Sequence, residues 1–112
     1  MDLRRWNVKH VRMVLQAAPD FVPFNRDTTG ITARVGAAAV EALLFQARAD
    51  AQAPIPALPA SLYLEFMRNG RREGYEDAQR DRRQMLYRLA LAEWLQQGGE
   101  FTAAIENLLF AR

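Results

Sequence analysis

Three prolines within six residues, Pro54, Pro56 and Pro59, constrain this chain more than any other feature. Proline lacks the amide that a helix or an inner strand needs, and it pushes the residue before it towards extended backbone. The segment Ala53-Pro54-Ile55-Pro56-Ala57-Leu58-Pro59 is therefore expected to be an extended connector with an apolar side. On both sides of it, apolar residues recur at helical spacing. No segment alternates with period two over the length of a strand. The chain is expected to be all-α, with about five helices.

Asp2 can cap a first helix running to about Ala17 and stopped by Pro19, with Leu3, Trp6, Val11, Val14 and Leu15 on one stripe. Residues 18–30 read as a loop, with Pro19, Pro23, Asn25, Asp27 and Gly30 as turn formers. Phe21, Val22 and Phe24 are too apolar for a free linker and are expected to lie on a neighbouring surface. Thr32 can cap a second helix to about Asp50, whose alanines permit close helix–helix approach. A third helix is expected from about Pro59 to Asn69. Pro59 suits the first turn, and Asn69-Gly70 suits a left-handed stop.

The fourth helix, about Tyr75 to Gln97 and ended by Gly98-Gly99, changes character midway. Glu76 to Gln84 is almost wholly polar, whereas Met85, Leu86, Leu89, Leu91, Ala92, Trp94 and Leu95 are apolar. Trp94 is expected in the core. Thr102 can cap a fifth helix carrying Ile105, Leu108, Leu109 and Phe110 to the last residue. An apolar helix end without a polar tail is expected to want a further helix against it. Residues 1–112 are read as a single helical domain or a fragment of one.

Composition narrows the function classes. Half of the 112 residues are hydrophobic and a quarter are charged, ordinary globular usage that argues against wholesale disorder. The absence of cysteine excludes disulfides, thiolate catalysis and cysteine-based zinc sites. A formal net charge of +2 is too small to argue for nucleic acid or a membrane surface. No apolar run approaches the roughly 18 residues of a membrane span. The charges of the first sixteen residues interrupt any signal-peptide core, so the compartment is left open between cytoplasm and periplasm of a bacterium.

His10, the only histidine, has no near carboxylate partner and reads as a surface imidazole. No His/Asp/Glu cluster has metal-ligand spacing, so neither a metal nor another cofactor is expected. Glu73, Glu76, Asp77 and Asp81 are interleaved with Arg71, Arg72, Arg80, Arg82 and Arg83. The four-residue spacing of Glu76 and Arg80 is that of surface helix pairs, so a solvated, salt-bridged helix start is favoured. The functional counterpart is an anion-facing edge, with Arg68 and Arg88 added to these arginines and Tyr63, Tyr75 and Tyr87 for stacking. Arginine forks and aromatic faces suit sugars bearing carboxylate or sulfate. No recognised motif supports nucleic acid.

Residues 56–109 carry a resemblance. The run Pro56 to Phe66 leads into Phe66-Met67-Arg68-Asn69-Gly70-Arg71-Arg72-Glu73-Gly74-Tyr75-Glu76. This resembles heparinase II/III-like proteins, which show a pattern of the form F-x-R-T-G-N-R-x-x-Y-E. Phe66, Arg68, Gly70, Arg72, Tyr75 and Glu76 match it, and Asn69 and Arg71 depart. Arg82, Arg83, Leu86, Leu89, Leu91, Ala92 and Glu93 then match R-R-x-x-L and an L-x-L-A-E helix. Gly99, Phe101 and Ile105 fit a G-x-F-x-x-x-I step into the next helix. Gln79 and Arg80 stand where such proteins usually show two aromatics.

The resemblance implies part of an incomplete (α/α) toroid followed by a β-sandwich region. It implies an enzyme family that cleaves acidic, uronate-containing polysaccharides by β-elimination. The tyrosine and histidine that do so lie beyond the stretch matched here, as does a β-domain that binds zinc in some members. No catalytic residue is therefore assigned to this chain. Arg68, Arg72, Tyr75 and Glu76 carry over as motif positions, either cross-linking neighbouring helices or lining the groove, with the structural role favoured. Two readings follow. One is the N-terminal helical scaffold of such a lyase, inactive alone, with acidic polysaccharide, further helices and the β-domain as partners. The other is a free-standing helical interaction module.

Overall fold

A computed structural model describes residues 7–15, 20 and 25–111. Among these residues the chain is all-α, with six helices and no strand. They are α1 Val8–Val14, α2 Ile31–Val35, α3 Ala37–Gln52, α4 Ala60–Asn69, α5 Glu73–Gln96 and α6 Thr102–Phe110.

The first two boundaries differ from expectation. Asn7, in extended conformation, caps α1 by accepting from the His10 N–H at 3.0 Å, and so satisfies one of the helix's orphan donors. Leu15 is already extended, so α1 stops short of Ala17. Asp2, Leu3, Trp6, Pro19, Phe21, Val22, Pro23 and Phe24 lie outside the described residues. The single helix expected from Thr32 to Asp50 is two, parted at Gly36 with φ 92° and ψ 141°, a conformation open to glycine alone. Thr32 lies inside α2 and caps nothing; Gly30 precedes that helix.

The proline connector behaves as expected. Ala53 and Pro59 are both extended, and Pro59 takes the position just before α4. At the far end of α4, Gly70 is left-handed (φ 76°), and its N–H returns to the Phe66 carbonyl at 2.9 Å. α5 ends differently from its expected glycine stop. Gln97 itself takes the left-handed conformation, donating its N–H to Glu93 O. Its side chain is held by the Arg26 carbonyl, a tie that offsets the strain of a non-glycine residue there. Nor does Thr102 cap α6. The Glu93 carboxylate accepts from the N–H groups of Gly99 (2.6 Å) and Phe101 (2.9 Å), binding the α5–α6 turn from the preceding helix.

The core lies where α5 packs against α3 and α6. Ala47, Met85, Leu89, Ala92, Phe101 and Leu108 are buried there, with Leu44, Ile55, Leu86, Ala104 and Ile105 packed around them. Ala47 and Ala92 have no exposed surface, which is how small residues let α3 and α5 approach. Beside this cluster the Asp50 carboxylate is 7% exposed. Arg88 Nε donates to its Oδ2, Arg88 Nη2 donates to Oδ1 at 3.1 Å, and Gln46 Nε2 donates to Oδ1 at 3.2 Å. A carboxylate this buried stays in place because every one of these donors compensates its lost water.

Trp94, expected in the core, is half-buried on the opposite side of α5, where its indole N–H donates to the Asn25 carbonyl at 2.8 Å. The reason is register. Met85, Leu89 and Ala92 fill the face towards α3 and α6, and Trp94 falls about half a helical turn away from it. Tyr87, Ala90, Leu91 and Trp94 line an apolar recess there.

Much apolar surface remains in water. Phe45, Met67 and Phe110 are each more than two-thirds exposed.

Candidate functional site

The corner between α4 and α5 gathers most of the motif positions. It is built from its turn outward. Gly70 reverses the chain after α4, and the Asn69 side-chain carbonyl accepts from the Arg71 N–H at 2.9 Å, closing a local Asx turn. Asn69 and Arg71, together, make a tight turn. Gly74, in the first turn of α5, sits close against α4. A Cβ there would stand 3.2 Å from Leu62 Cδ2 and 3.5 Å from Glu65 Oε2. Leu62 and Glu65 are the half-buried inner residues of α4, and the other residues of that helix are exposed.

This close approach opens a cleft of about 230 Å³ lined by Tyr63, Phe66, Arg72, Tyr75 and Glu76. The rings of Tyr63 and Tyr75 meet edge to face, with centroids 5.7 Å apart and planes at 72°. That geometry sets the positive edge of one ring against the negative face of the other. The Arg72 guanidinium carbon lies 4.6 Å from the Phe66 ring centroid, a cation–π contact across the turn. Of the four candidate residues, Arg72, Tyr75 and Glu76 thus come together. Arg68 does not join them. It is exposed in the last turn of α4, where a cation suits the carbonyl end of the helix dipole.

The wider anion-facing edge does not assemble. Arg80 pairs with Asp77 at 2.8 Å, three residues back, in place of the expected partner Glu76. Arg82 Nη2 donates to the Ala111 carbonyl at 2.7 Å, tying α5 to the end of α6. Arg88 is committed to Asp50, whose hydrogen bonds raise its pKa above the ordinary arginine value. Arg48, outside the expected set, is likewise raised by a direct hydrogen bond to Glu100 at 2.6 Å. Tyr87 lies with Leu91 and Trp94 at the apolar recess, not with Tyr63 and Tyr75.

Several residues have structural roles that the sequence does not show. Gly74 sets the helix separation at the corner, yet in the sequence it is one glycine inside a charged run. Asp50, Glu93 and Glu100 look like surface acids until the fold brings Arg88, the α5–α6 turn and Arg48 to them. Their separations in sequence are too long for local patterning to show. His10 is exposed, and among the described residues no three of His, Cys, Asp and Glu are grouped to hold a metal ion. No described helix is long and apolar enough to cross a membrane. Compared with protein-family models, with curated proteins and with solved structures, the chain has no match.

Proposed function

We propose that this chain is a helical scaffold segment of a heparinase II/III-like polysaccharide lyase, contributing toroid helices and no catalytic group. The reading starts from the motif resemblance over residues 56–109. One observation supports it: Phe66, Gly70, Arg72, Tyr75 and Glu76, all motif matches, meet at a single helix corner. The exposed Phe45, Met67 and Phe110 are a second support, because an array of helices leaves apolar faces for the helices that stack on it.

The scaffold reading makes two linked expectations. A longer polypeptide carrying residues 1–112, further helices and a β-region should release unsaturated uronate ends from an acidic polysaccharide, detected by their ultraviolet absorbance. The 112 residues alone should release none and should melt with poor cooperativity or self-associate. A stop codon directly after Arg112, with a protein that melts cooperatively as a monomer, sinks the reading.

The alternative is an interaction module without catalytic activity. It draws on α6, where Leu109 is 62% and Phe110 83% exposed beside the buried Leu108. A module should unfold in one sharp transition as a monomer or a defined oligomer, and that is the measurement separating it from a scaffold fragment.

A further inference from the structure

We infer that the α4–α5 corner is a binding site for a small amphoteric molecule, one bearing a carboxylate and an ammonium group on a compact apolar body. The observation behind this is a pair of opposite charges that share a cleft without neutralising each other. Arg72 and Glu76 both line it, and they are four residues apart at the start of α5, a spacing at which helix side chains can pair. Among the described residues, neither forms an ion pair or a side-chain hydrogen bond.

Arg72 lies over the Phe66 ring. A cation–π contact uses the charge of the guanidinium but none of its five N–H donors, so the fork remains available to a carboxylate. Glu76 is acceptor-only when ionised and suits an ammonium group. Tyr63, Phe66 and Tyr75 supply the apolar surface between the two charges. A simple anion here would also face Glu76, and a simple cation would also face Arg72. A ligand with both charges satisfies both residues. The cleft is small, and a molecule of amino-acid size suffices to reach both charges. Nothing in this inference rests on the polysaccharide reading, and either can fail without the other.

The test is a titration of the full 112-residue chain, followed by amide chemical shifts, with three probes of one shape. L-Phenylalanine carries both charges, phenethylamine only the ammonium, and hydrocinnamate only the carboxylate. L-Phenylalanine is expected to shift the Gly74, Tyr75 and Glu76 amides and to bind about fivefold more tightly than either relative, the scale of one solvent-exposed ion pair. Arg72→Gln should remove the advantage of L-phenylalanine over phenethylamine, and should not weaken phenethylamine, which loses an opposing charge. Glu76→Gln should likewise remove the advantage over hydrocinnamate without weakening hydrocinnamate. Both positions are exposed, and an unchanged circular dichroism spectrum establishes that the variants remain folded. The inference is overturned if L-phenylalanine binds no better than a singly charged relative, if the shifts fall elsewhere, or if none of the probes binds.

Discussion

In its second half α5 runs between α3 and α6, with Met85, Leu89 and Ala92 buried against Ala47, Phe101 and Leu108. In its first half it meets α4, none of whose residues is buried. The two ends of one continuous helix are therefore held by different forces. One end is stabilised by removing apolar area from water and by a largely buried ion pair. The other is shaped by a glycine turn, an edge-to-face ring pair and a cation–π contact, the last two each contributing about 0.5–1.5 kcal/mol. A corner held this way can adjust to a ligand or a neighbouring helix without unfolding the rest, and the candidate site lies there.

That contrast breaks most sharply at the core. Phe101→Ala removes a ring that is 1% exposed, and it should lower stability by about 3–5 kcal/mol, read as a large fall in the urea midpoint. The corner should respond far less. Tyr75→Leu, which keeps apolar bulk, should leave the same midpoint nearly unchanged. A comparable loss from both would show that the two ends are one cooperative unit.

The Asp50–Arg88 pair gives the next effect. Arg88→Met leaves Asp50 buried on α3 with only Gln46 as a side-chain partner, and about 2–3 kcal/mol of stability should be lost. The double variant Asp50→Leu with Arg88→Met should recover most of it, because no charge is then left uncompensated. Equal losses in the single and double variants would mean that the arginine acts through packing of its stem.

At the corner, Gly70→Ala places a Cβ on a left-handed residue with φ 76°, at a cost of about 1–2 kcal/mol. The decisive readout is local. Faster hydrogen exchange at the amides of α4 and the first turn of α5, with the α3–α5–α6 amides unchanged, would establish that the corner opens independently. Uniform acceleration across all helices would remove the distinction between the two ends.

These differences also explain what could be read in advance. The all-α class, the proline connector and the Gly70 stop are local properties of backbone and spacing, and they are legible residue by residue. The polar and apolar halves of α5 were visible for the same reason. Gly36 is hidden because a glycine among alanines fits a helical pattern until its positive φ is seen. Trp94 departs from the expected core because a broad apolar stripe does not say which of its edges faces the partner helices. The Asp50–Arg88, Glu93–Phe101 and Arg48–Glu100 contacts depend on how α3, α5 and α6 dock. At the corner, the motif pointed to Arg72, Tyr75 and Glu76, but that Arg72 lies over the Phe66 ring is a matter of side-chain packing.

The smallest effect concerns the turn that straps the far end of α5. Asp27 Oδ1 accepts from the Thr29 hydroxyl at 2.7 Å and from the Thr29 N–H at 3.1 Å. Both bonds favour the ionised form, the hydroxyl more, and hold the Asp27 pKa below its ordinary value of 3.8. The adjoining Thr28 hydroxyl donates to the Leu95 carbonyl near the end of α5. A carboxylate with a depressed folded-state pKa stabilises the turn above its unfolded pKa, and that contribution disappears as the pH falls through the lower, folded value. The Thr29 amide resonance should therefore hold steady from neutral pH down to about 4 and move only below it. Asp27→Asn should abolish that movement. Because Asp27 is fully solvent-exposed, the core amides of α3 and α5 should not follow Thr29. If they did, this turn would belong to the cooperative unit of Leu89 and Phe101, and the boundary between the two regimes would have to move towards the N-terminal side of the chain.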